Sequence, residues 1–227
     1  MILAYHRVNP FYKKDALTVS PENFRRQIEF LLKKGLKPVH PEKYIKNPSS
    51  LLITFDDGYA DNLWYALPVL KQLNIVPIIF LTVNYIGTDI IFSRYSDKEK
   101  DRFLNWKEVK EMSEAGVIFG SHSLSHPHLT QLNEKKLIEE VSLSKKIIEE
   151  KTGKEVLYFC YPYGDFNEKV IEKVKESGYK SAFVTPPRGK KVKETDYTLI
   201  RTGIYGHNNF LMFRIKIWKD YLKGKRY

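Results

Sequence analysis

Short apolar runs alternate with amphipathic segments along almost the whole chain. Runs such as residues 51–55 and 76–83 are nearly continuous in apolar residues, which is typical of strands buried on both faces of a parallel sheet. The segments between the runs repeat their apolar residues at helical spacing. The pattern predicts strands at residues 2–5, 51–55, 76–83, 117–119, 156–161, 181–184 and 198–202. It predicts helices at residues 20–35, 61–73, 105–116, 133–151, 167–177 and 210–222.

Several helix ends carry capping signals. Ser20 is a good N-cap before Pro21, and Asn105 opens a segment that resembles a capping box. Pro68 should kink the helix at residues 61–73 or split it in two. Strands that alternate with helices over the whole length imply a parallel sheet, either open or closed into a barrel.

The candidate functional residues distinguish between an open sheet and a closed barrel. His6, the Asp56–Asp57 pair, His122 and Tyr163 each follow the C-terminal end of a different predicted strand. Convergence from several strand ends favours a (β/α) barrel over a crevice in an open sheet. We therefore predict an α/β protein, a single-domain, distorted or incomplete TIM-like (β/α) barrel of seven or eight strands. Residues 1–227 would form that domain, with a basic C-terminal helix at about 208–227.

Composition narrows the class of protein. The 227 residues can bury a substantial core, and one cysteine, Cys160, excludes an intrachain disulfide framework and a cysteine-based zinc cluster. The N-terminal segment does not resemble a secretory signal, and no apolar run approaches the ~20 residues that span a bilayer. The expectation from these features is a cytoplasmic protein. The net charge of +11 fits either an anionic partner or a Lys- and Glu-rich surface adapted to heat.

Two short motifs point to a metal site. Asp56 and Asp57 end a buried strand, and His122 and His126 stand four residues apart after another. Two imidazoles and one carboxylate suit zinc and leave positions open for water and substrate, while the second carboxylate is left as a general base. Each motif alone could be an ordinary turn or a packed loop. A third imidazole, His128, is expected to be a supporting or surface residue.

Through these motifs, the sequence resembles the NodB-homology polysaccharide deacetylases, carbohydrate esterase family four. The resemblance rests on Thr-Phe-Asp-Asp-Gly at 54–58 and His-Ser-x-x-His-Pro at 122–127. It implies that Asp56 is the general base and that Asp57, His122 and His126 hold one divalent metal. Zinc is the expected ion, with nickel, cobalt and iron as alternatives. The backbone N–H of Tyr163 would bind the oxyanion, and Pro162 would line the substrate site.

Two departures from the family pattern are informative. Cys160 stands where the motif before Pro162 normally has an arginine that braces the base. The family's Asp-Trp and C-terminal Leu-x-His motifs are absent, whereas His6 follows the first predicted strand. This opening resembles the circularly permuted branch of poly-β-1,6-N-acetylglucosamine deacetylases. The resemblance then implies that His6 is the general acid, unless it only caps the first strand.

The function implied is metal-dependent removal of N-acetyl groups from an N-acetylglucosamine-type glycan, with release of acetate. Among the aromatic residues near the motifs, we expect Tyr59 and Trp106 to contact the sugar. One alternative is a metal-dependent amidase or deformylase acting on a lipid-linked or small-molecule amide. Another is a non-catalytic polyanion-binding protein, although the complete Asp and His set argues against it. No specific nucleic acid partner is expected, and the oligomeric state is open.

The C-terminal helix adds one more prediction. Phe213, Ile217 and Tyr221 recur at spacing four, after Phe210, and form one apolar stripe. Basic residues surround the stripe: Arg214, Lys216, Lys219, Lys223, Lys225 and Arg226. The helix could simply pack on the barrel with its charges in solvent. Alternatively, it could also bring the protein to an anionic membrane surface.

Overall fold

The strands are short and lie in the order that the apolar runs predict. The computed structural model describes residues 1–11, 15–43, 49–88, 102–187, 189–206 and 209–223, with side chains as far as residue 219. The strands are β1 (Ile2–Tyr5), β2 (Arg7–Val8), β3 (Thr18–Val19), β4 (Lys37–Pro38), β5 (Ser50–Phe55), β6 (Ile78–Leu81), β7 (Ile118–Ser121), β8 (Tyr158–Cys160), β9 (Ser181–Val184), β10 (Leu199–Ile200) and β11 (Thr202–Gly203).

The helices begin at the predicted caps. They are α1 (Pro21–Lys33), α2 (Leu67–Gln72), α3 (Trp106–Glu114), α4 (Glu134–Ile138), α5 (Ser144–Thr152), α6 (Glu168–Glu176) and α7 (Phe210–Lys223). Ser20 caps α1, and Asn105 forms the expected capping box with Glu108 at the start of α3. The helix predicted at 61–73 changes type near Pro68 without an interruption, because a π-helical turn at Asn62–Ala66 continues directly into α2. A second π-helical turn, Glu139–Leu143, joins α4 to α5.

Eight parallel strands run around a nearly closed barrel in the described part of the chain. Their order is β10-β9-β8-β7-β6-β5-β1-β11, and β4 pairs with β5 beside this path. The predicted last strand at 198–202 is divided in two at Arg201. Its first half, β10, pairs with β9, while its second half, β11, pairs with β1. Arg201 therefore lies at the seam where the two ends of the sheet approach each other, and the predicted barrel is confirmed.

Some predicted strand lengths differ from those in the structure. β6 and β8 are shorter than the apolar runs at 76–83 and 156–161, because those runs continue into turns that are also buried. β7 is longer than predicted and reaches Ser121, immediately before His122. The two-residue strands β2, β3 and β4 carry no periodic signal and were not expected.

Two apolar clusters occupy the two faces of the sheet. The larger cluster lies between the strands and the helices and includes Phe24, Ile28 and Val141. The smaller one fills the barrel interior with Ile2, Leu52, Ile78, Phe80, Tyr158, Cys160, Phe183 and Leu199. Within the described ranges, no helix has the length and apolar character needed to cross a membrane.

Candidate active site

The rows of side chains that point into the barrel continue to the predicted site residues. Alternate residues of a strand point to the same side of a sheet. Ile2 and Leu52 belong to the interior cluster, so His6 and Asp56, at even spacing beyond them, continue the same inward-facing rows. Gly120 also faces the interior, where a β-carbon would meet the Phe80 ring at 2.5 Å, and His122 follows two residues later. The period-two pattern thus gathers these side chains at one end of the barrel.

Asp57, His122 and His126 form the first part of the site. Oδ1 of Asp57 lies 3.8 Å from Nε2 of His122 and 3.7 Å from Nε2 of His126. Donor atoms at about 2.0–2.1 Å from a tetrahedral zinc ion stand about 3.3 Å apart. The three ligand atoms all lie within 4.8 Å of one another, so a small closure would place them on one ion.

Left-handed backbone conformations shape the two ligand loops. Asp57, Ser123 and His126 have φ angles of 71°, 67° and 59°, which are uncommon for residues other than glycine. Gly58 has a φ of 84°, and a β-carbon there would meet the Leu81 side chain at 2.7 Å. The loops are thus held in costly conformations by the packing around them, which is a recurrent feature of functional sites.

Hydrogen bonding prepares His122 to act as a ligand. Its Nδ1 lies 2.7 Å from the backbone carbonyl oxygen of Cys160. A carbonyl can only accept, so Nδ1 carries the proton and Nε2 presents a lone pair towards Asp57. Burial lowers the pKa of His122 to about 3, which keeps the ring neutral. Burial also lowers the pKa of His126.

This donor set fits a divalent metal. It combines two neutral imidazoles with a carboxylate, and the second ring nitrogen of His122 is anchored as metal-binding histidines usually require. Asp56, His122 and Cys160 form a second cluster of possible ligand atoms. That cluster fits less well, since burial raises the pKa of the Cys160 thiol and a metal needs the thiolate.

Arg201 braces Asp56 in place of the arginine that the motif before Pro162 lacks. Its Nη1 and Nη2 donate to Oδ1 and Oδ2 of Asp56, both at 2.7 Å. Nη2 also lies 2.9 Å from Sγ of Cys160, and Nη1 donates to Oγ1 of Thr54 at 3.0 Å. A guanidinium from the barrel seam therefore reaches the place next to Cys160 where the family motif would put an arginine.

This ion pair sets the charge of Asp56. Burial alone would raise the pKa of its carboxyl group, but Arg201, with His122 and His6, holds the pKa well below the usual range. The side chain is consequently an ionised, oriented carboxylate that can accept a proton.

His6 follows β1, which neighbours β5 on the side away from β6 and β7. Its Nε2 is 4.0 Å from Oδ2 of Asp56, and its ring is partly exposed. Asn62 donates to the backbone carbonyl of His6 at 3.0 Å, and Asp61 accepts from Asn62 at 2.9 Å and from Arg7 at 2.8 Å. A buried polar network therefore fixes the backbone of His6. Among the described residues, its Nδ1 has no hydrogen-bond partner.

Tyr163 lies at the mouth of the site. Its side chain is 54 % exposed, and its ring stacks on His128 at 4.2 Å and meets His126 edge-on at 4.5 Å. Its φ of 59° belongs to the turn Pro162–Gly164, in which Pro162 is buried. Gly164 and Asp165 donate their backbone N–H groups within this turn. The backbone N–H of Tyr163 makes no such hydrogen bond within the described ranges.

The expected sugar contact at Tyr59 needs correction. Its side chain is 1 % exposed, stacks on Phe103 at 4.7 Å and lies under the Arg7 guanidinium. The ring is part of the protein interior, since an aromatic residue next to a motif can pack inward as readily as outward. Trp106 is half-buried at the start of α3, with the Lys151 ammonium 6.0 Å from its ring. A substrate contact at Trp106 remains a prediction.

Sequence reasoning missed Glu140 as a supporting residue. Its Oε2 accepts the backbone N–H groups of Leu124 and Ser125 at 2.9 and 3.0 Å, and its Oε1 accepts the Ser125 hydroxyl. Glu140 therefore clamps the loop between His122 and His126. It stands within a helical segment rich in glutamate, so no local signal separates it from its solvated neighbours.

Comparisons with known proteins identify the family of the chain. A model of the family described as polysaccharide deacetylase matches residues 43–182. YxkH of Bacillus subtilis is 28 % identical over 211 residues, covering 89 % of this chain and 70 % of that protein. Peptidoglycan-N-acetylmuramic acid deacetylase PdaA of Bacillus subtilis is 26 % identical over 174 residues, or 75 % of this chain and 58 % of PdaA. The structure of IcaB from Ammonifex degensii superposes with a TM-score of 0.78 at 22 % identity, covering 96 % of this chain and 95 % of IcaB.

The fold and the family match define the class of protein, a hydrolase built on a (β/α) barrel. Because the family model covers more than half of the chain, the chain belongs to the polysaccharide deacetylase family. The resemblance drawn from the motifs is thereby confirmed at the family level. The similarity to IcaB supports the fold alone, and the chain spans 58–70 % of the length of the two Bacillus subtilis relatives.

Proposed function

We propose that this protein is a metal-dependent deacetylase that hydrolyses the N-acetyl group of an amino sugar within a glycan. The observation that carries the proposal is the convergence of Asp57, His122 and His126 beside the separately braced carboxylate of Asp56, with Oδ1 of Asp57 3.8 and 3.7 Å from Nε2 of His122 and of His126. A site built only for binding sugar would need no ionised carboxylate next to a complete ligand set.

Asp57, His122 and His126 would hold the metal. When bound, it would polarise the attacking water and the acetamide carbonyl as a Lewis acid. The protein's own contribution is to fix the ligands: the Cys160 carbonyl orients His122, and Glu140 clamps the loop that carries His126.

Asp56 would be the general base. Arg201 holds both carboxylate oxygens, so the side chain cannot rotate away while it takes the proton from water. The same ion pair makes Asp56 a weak base in isolation, because the guanidinium stabilises the ionised form. Proton transfer to Asp56 then depends on a water molecule that is itself made more acidic. The role of Arg201 is to fix the direction from which this water approaches the carboxylate.

His6 would be the general acid, and Tyr163 would stabilise the developing negative charge. The acetyl carbonyl oxygen gains charge as water attacks, and the uncommitted backbone N–H of Tyr163 can donate to it. The C–N bond then breaks as His6 protonates the nitrogen, since an amine anion is too poor a leaving group. The products are acetate and a free amine, and the position of His6, with Nε2 4.0 Å from Oδ2 of Asp56, suits this role.

The substrate would be a glycan with N-acetylated hexosamine units. PdaA is a relative named for N-acetylmuramic acid in peptidoglycan, which supports this broad class. Assignment to the circularly permuted branch also remains our proposal. It is supported by the location of β1, which carries His6 into the site from between β5 and β11.

Acetate release from purified protein tests the proposal. The substrates would be β-1,4- and β-1,6-linked N-acetylglucosamine oligomers and N-acetylated peptidoglycan fragments, with metal content measured in the same samples. We expect turnover that a chelator abolishes and added zinc restores. Equal turnover of chelated and metal-loaded protein, or no acetate from any of these glycans with one bound metal per chain, would refute it.

A further inference from the structure

The C-terminal helix α7 carries two apolar stripes. The stripe predicted from the sequence faces inward: Phe213 and Ile217 are buried, and Phe210 is partly buried. The rings of Phe210 and Phe213 lie 5.6 and 6.3 Å from the ring of Phe30 on α1. This stripe attaches α7 to the rest of the protein, so it is not available to any other partner.

The second stripe faces away from the protein. Leu211, Ile215 and Trp218 follow at spacings of four and three residues, which places them on one line along the helix. They are 62 %, 45 % and 61 % exposed, and Met212 beside them is 51 % exposed. These four are the only large apolar residues of the described chain that cluster on a single exposed helix face. Isolated exposed apolar residues are ordinary, whereas a contiguous patch marks a contact surface.

Cations flank this outer stripe. At 100° per residue, Arg214 lies on one side of the line through Leu211, Ile215 and Trp218, and Lys219 lies on the other. Both side chains are exposed, and the Arg214 guanidinium lies 5.6 Å from the centroid of the Phe30 ring at the border with the inner stripe. An apolar line with a long basic side chain on each side is the arrangement of helices that lie in a membrane interface.

We propose that the outer face of α7, defined by Leu211, Met212, Ile215 and Trp218, docks onto an anionic lipid surface. Arg214, Lys219 and the net charge of +11 make the protein complementary to anionic headgroups. This complementarity selects an anionic lipid surface over an uncharged apolar partner. The helix lies parallel to the surface with the outer stripe among the acyl chains, while the inner stripe keeps its contact with α1. The proposal is independent of the catalytic assignment.

Vesicle co-sedimentation is the direct test, with phosphatidylglycerol and phosphatidylcholine vesicles at low salt. We expect binding to phosphatidylglycerol only, and a progressive loss of binding as the salt concentration rises. L211S/I215S should weaken binding at least tenfold. The matched control I138S/L143S changes two partly exposed apolar residues on the helical segment after β7 and should bind within twofold of the parent. K219E should weaken binding several-fold, whereas K110E, the same change on exposed Lys110, should have a smaller effect.

Trp218 provides a second readout that separates insertion from other contacts. In a W64F/W106F background, its emission should shift to the blue on addition of phosphatidylglycerol vesicles and be quenched by brominated acyl chains. No binding to phosphatidylglycerol at low salt would overturn the proposal. So would a concentration-dependent dimer that L211S/I215S dissociates, because a second copy would then cover the stripe. Acetate release from a soluble oligomer should be equal in L211S/I215S and the parent. The membrane proposal and the deacetylase assignment can therefore be refuted independently.

Discussion

The ligand side and the base side of the candidate site are built in different ways. Asp57, His122 and His126 come from two short loops whose backbone angles are set locally, with left-handed φ values at Asp57 and His126. Asp56 instead depends on Arg201, which is 145 residues away in the chain and stands at the barrel seam. One side is encoded by motifs, and the other by the closure of the sheet. Substitutions should therefore separate metal binding from proton transfer.

The largest effect is expected at His122. Because H122A removes one of three protein ligands and the most deeply buried one, bound metal should fall to near zero and turnover by at least about 10³-fold. Metal analysis and acetate release on the same sample measure both effects. H128A, a change at a half-exposed imidazole outside the ligand set, is the control and should retain the metal. A metal-replete H122A protein would contradict the ligand assignment.

Substitution of Asp56 should lower turnover and leave the metal content unchanged. D56N keeps the size of the side chain and leaves Asp57, His122 and His126 intact, so the metal content should stay at the parent level. Turnover should fall roughly 10²–10⁴-fold, since a positioned base is removed. If D56N turned over normally, the roles of the two neighbouring aspartates would have to be reassigned.

For His6, we expect H6A to lower turnover by roughly 10²–10⁴-fold while the metal stays bound, because only the proton donor to the leaving nitrogen is lost. Substrates with a more acidic leaving amine should recover part of the rate in H6A, since they need less protonation. An unchanged rate in H6A would instead place the acid elsewhere and remove the main support for the permuted branch.

Substitution of Arg201 tests whether its ion pair holds Asp56 in place. R201M leaves the buried Asp56 carboxylate without its partner, which should destabilise the fold by about 3–5 kcal/mol and lower turnover by about 10–100-fold. Denaturant unfolding of R201M, D56N and the double variant R201M/D56N measures the coupling. The double variant should recover most of the loss, because no unpaired charge remains buried. Additive losses would mean that Arg201 acts mainly through Thr54 and Cys160.

The barrel, and the meeting of Asp57 with His122 and His126, can be predicted from the sequence for a common physical reason. Buried parallel strands and metal loops are local patterns, readable as an apolar run or as Asp-Asp-Gly. The brace at Arg201, the clamp at Glu140 and the inward packing of Tyr59 depend on contacts between distant segments. The outer stripe of α7 is also hard to predict, because Leu211, Ile215 and Trp218 have the same spacing as the buried stripe. Only the packing against Phe30 shows which face points inward.

Glu140 should give the smallest effect and the finest test of the ligand side. E140A removes the acceptor for the N–H groups of Leu124 and Ser125, so the loop before His126 loses its clamp, whereas the ligands themselves remain. Outer partners of this kind are typically worth about 10–100-fold in metal affinity. We expect a weaker zinc affinity in competition with a chromogenic chelator, and near-parental turnover once zinc is saturating. E139A changes the exposed neighbouring glutamate on the same helical turn and should leave the affinity unchanged. A parental zinc affinity in E140A would show that the backbone contacts of Val83 and Asn84 to Ser123 and Leu124 hold the loop without it.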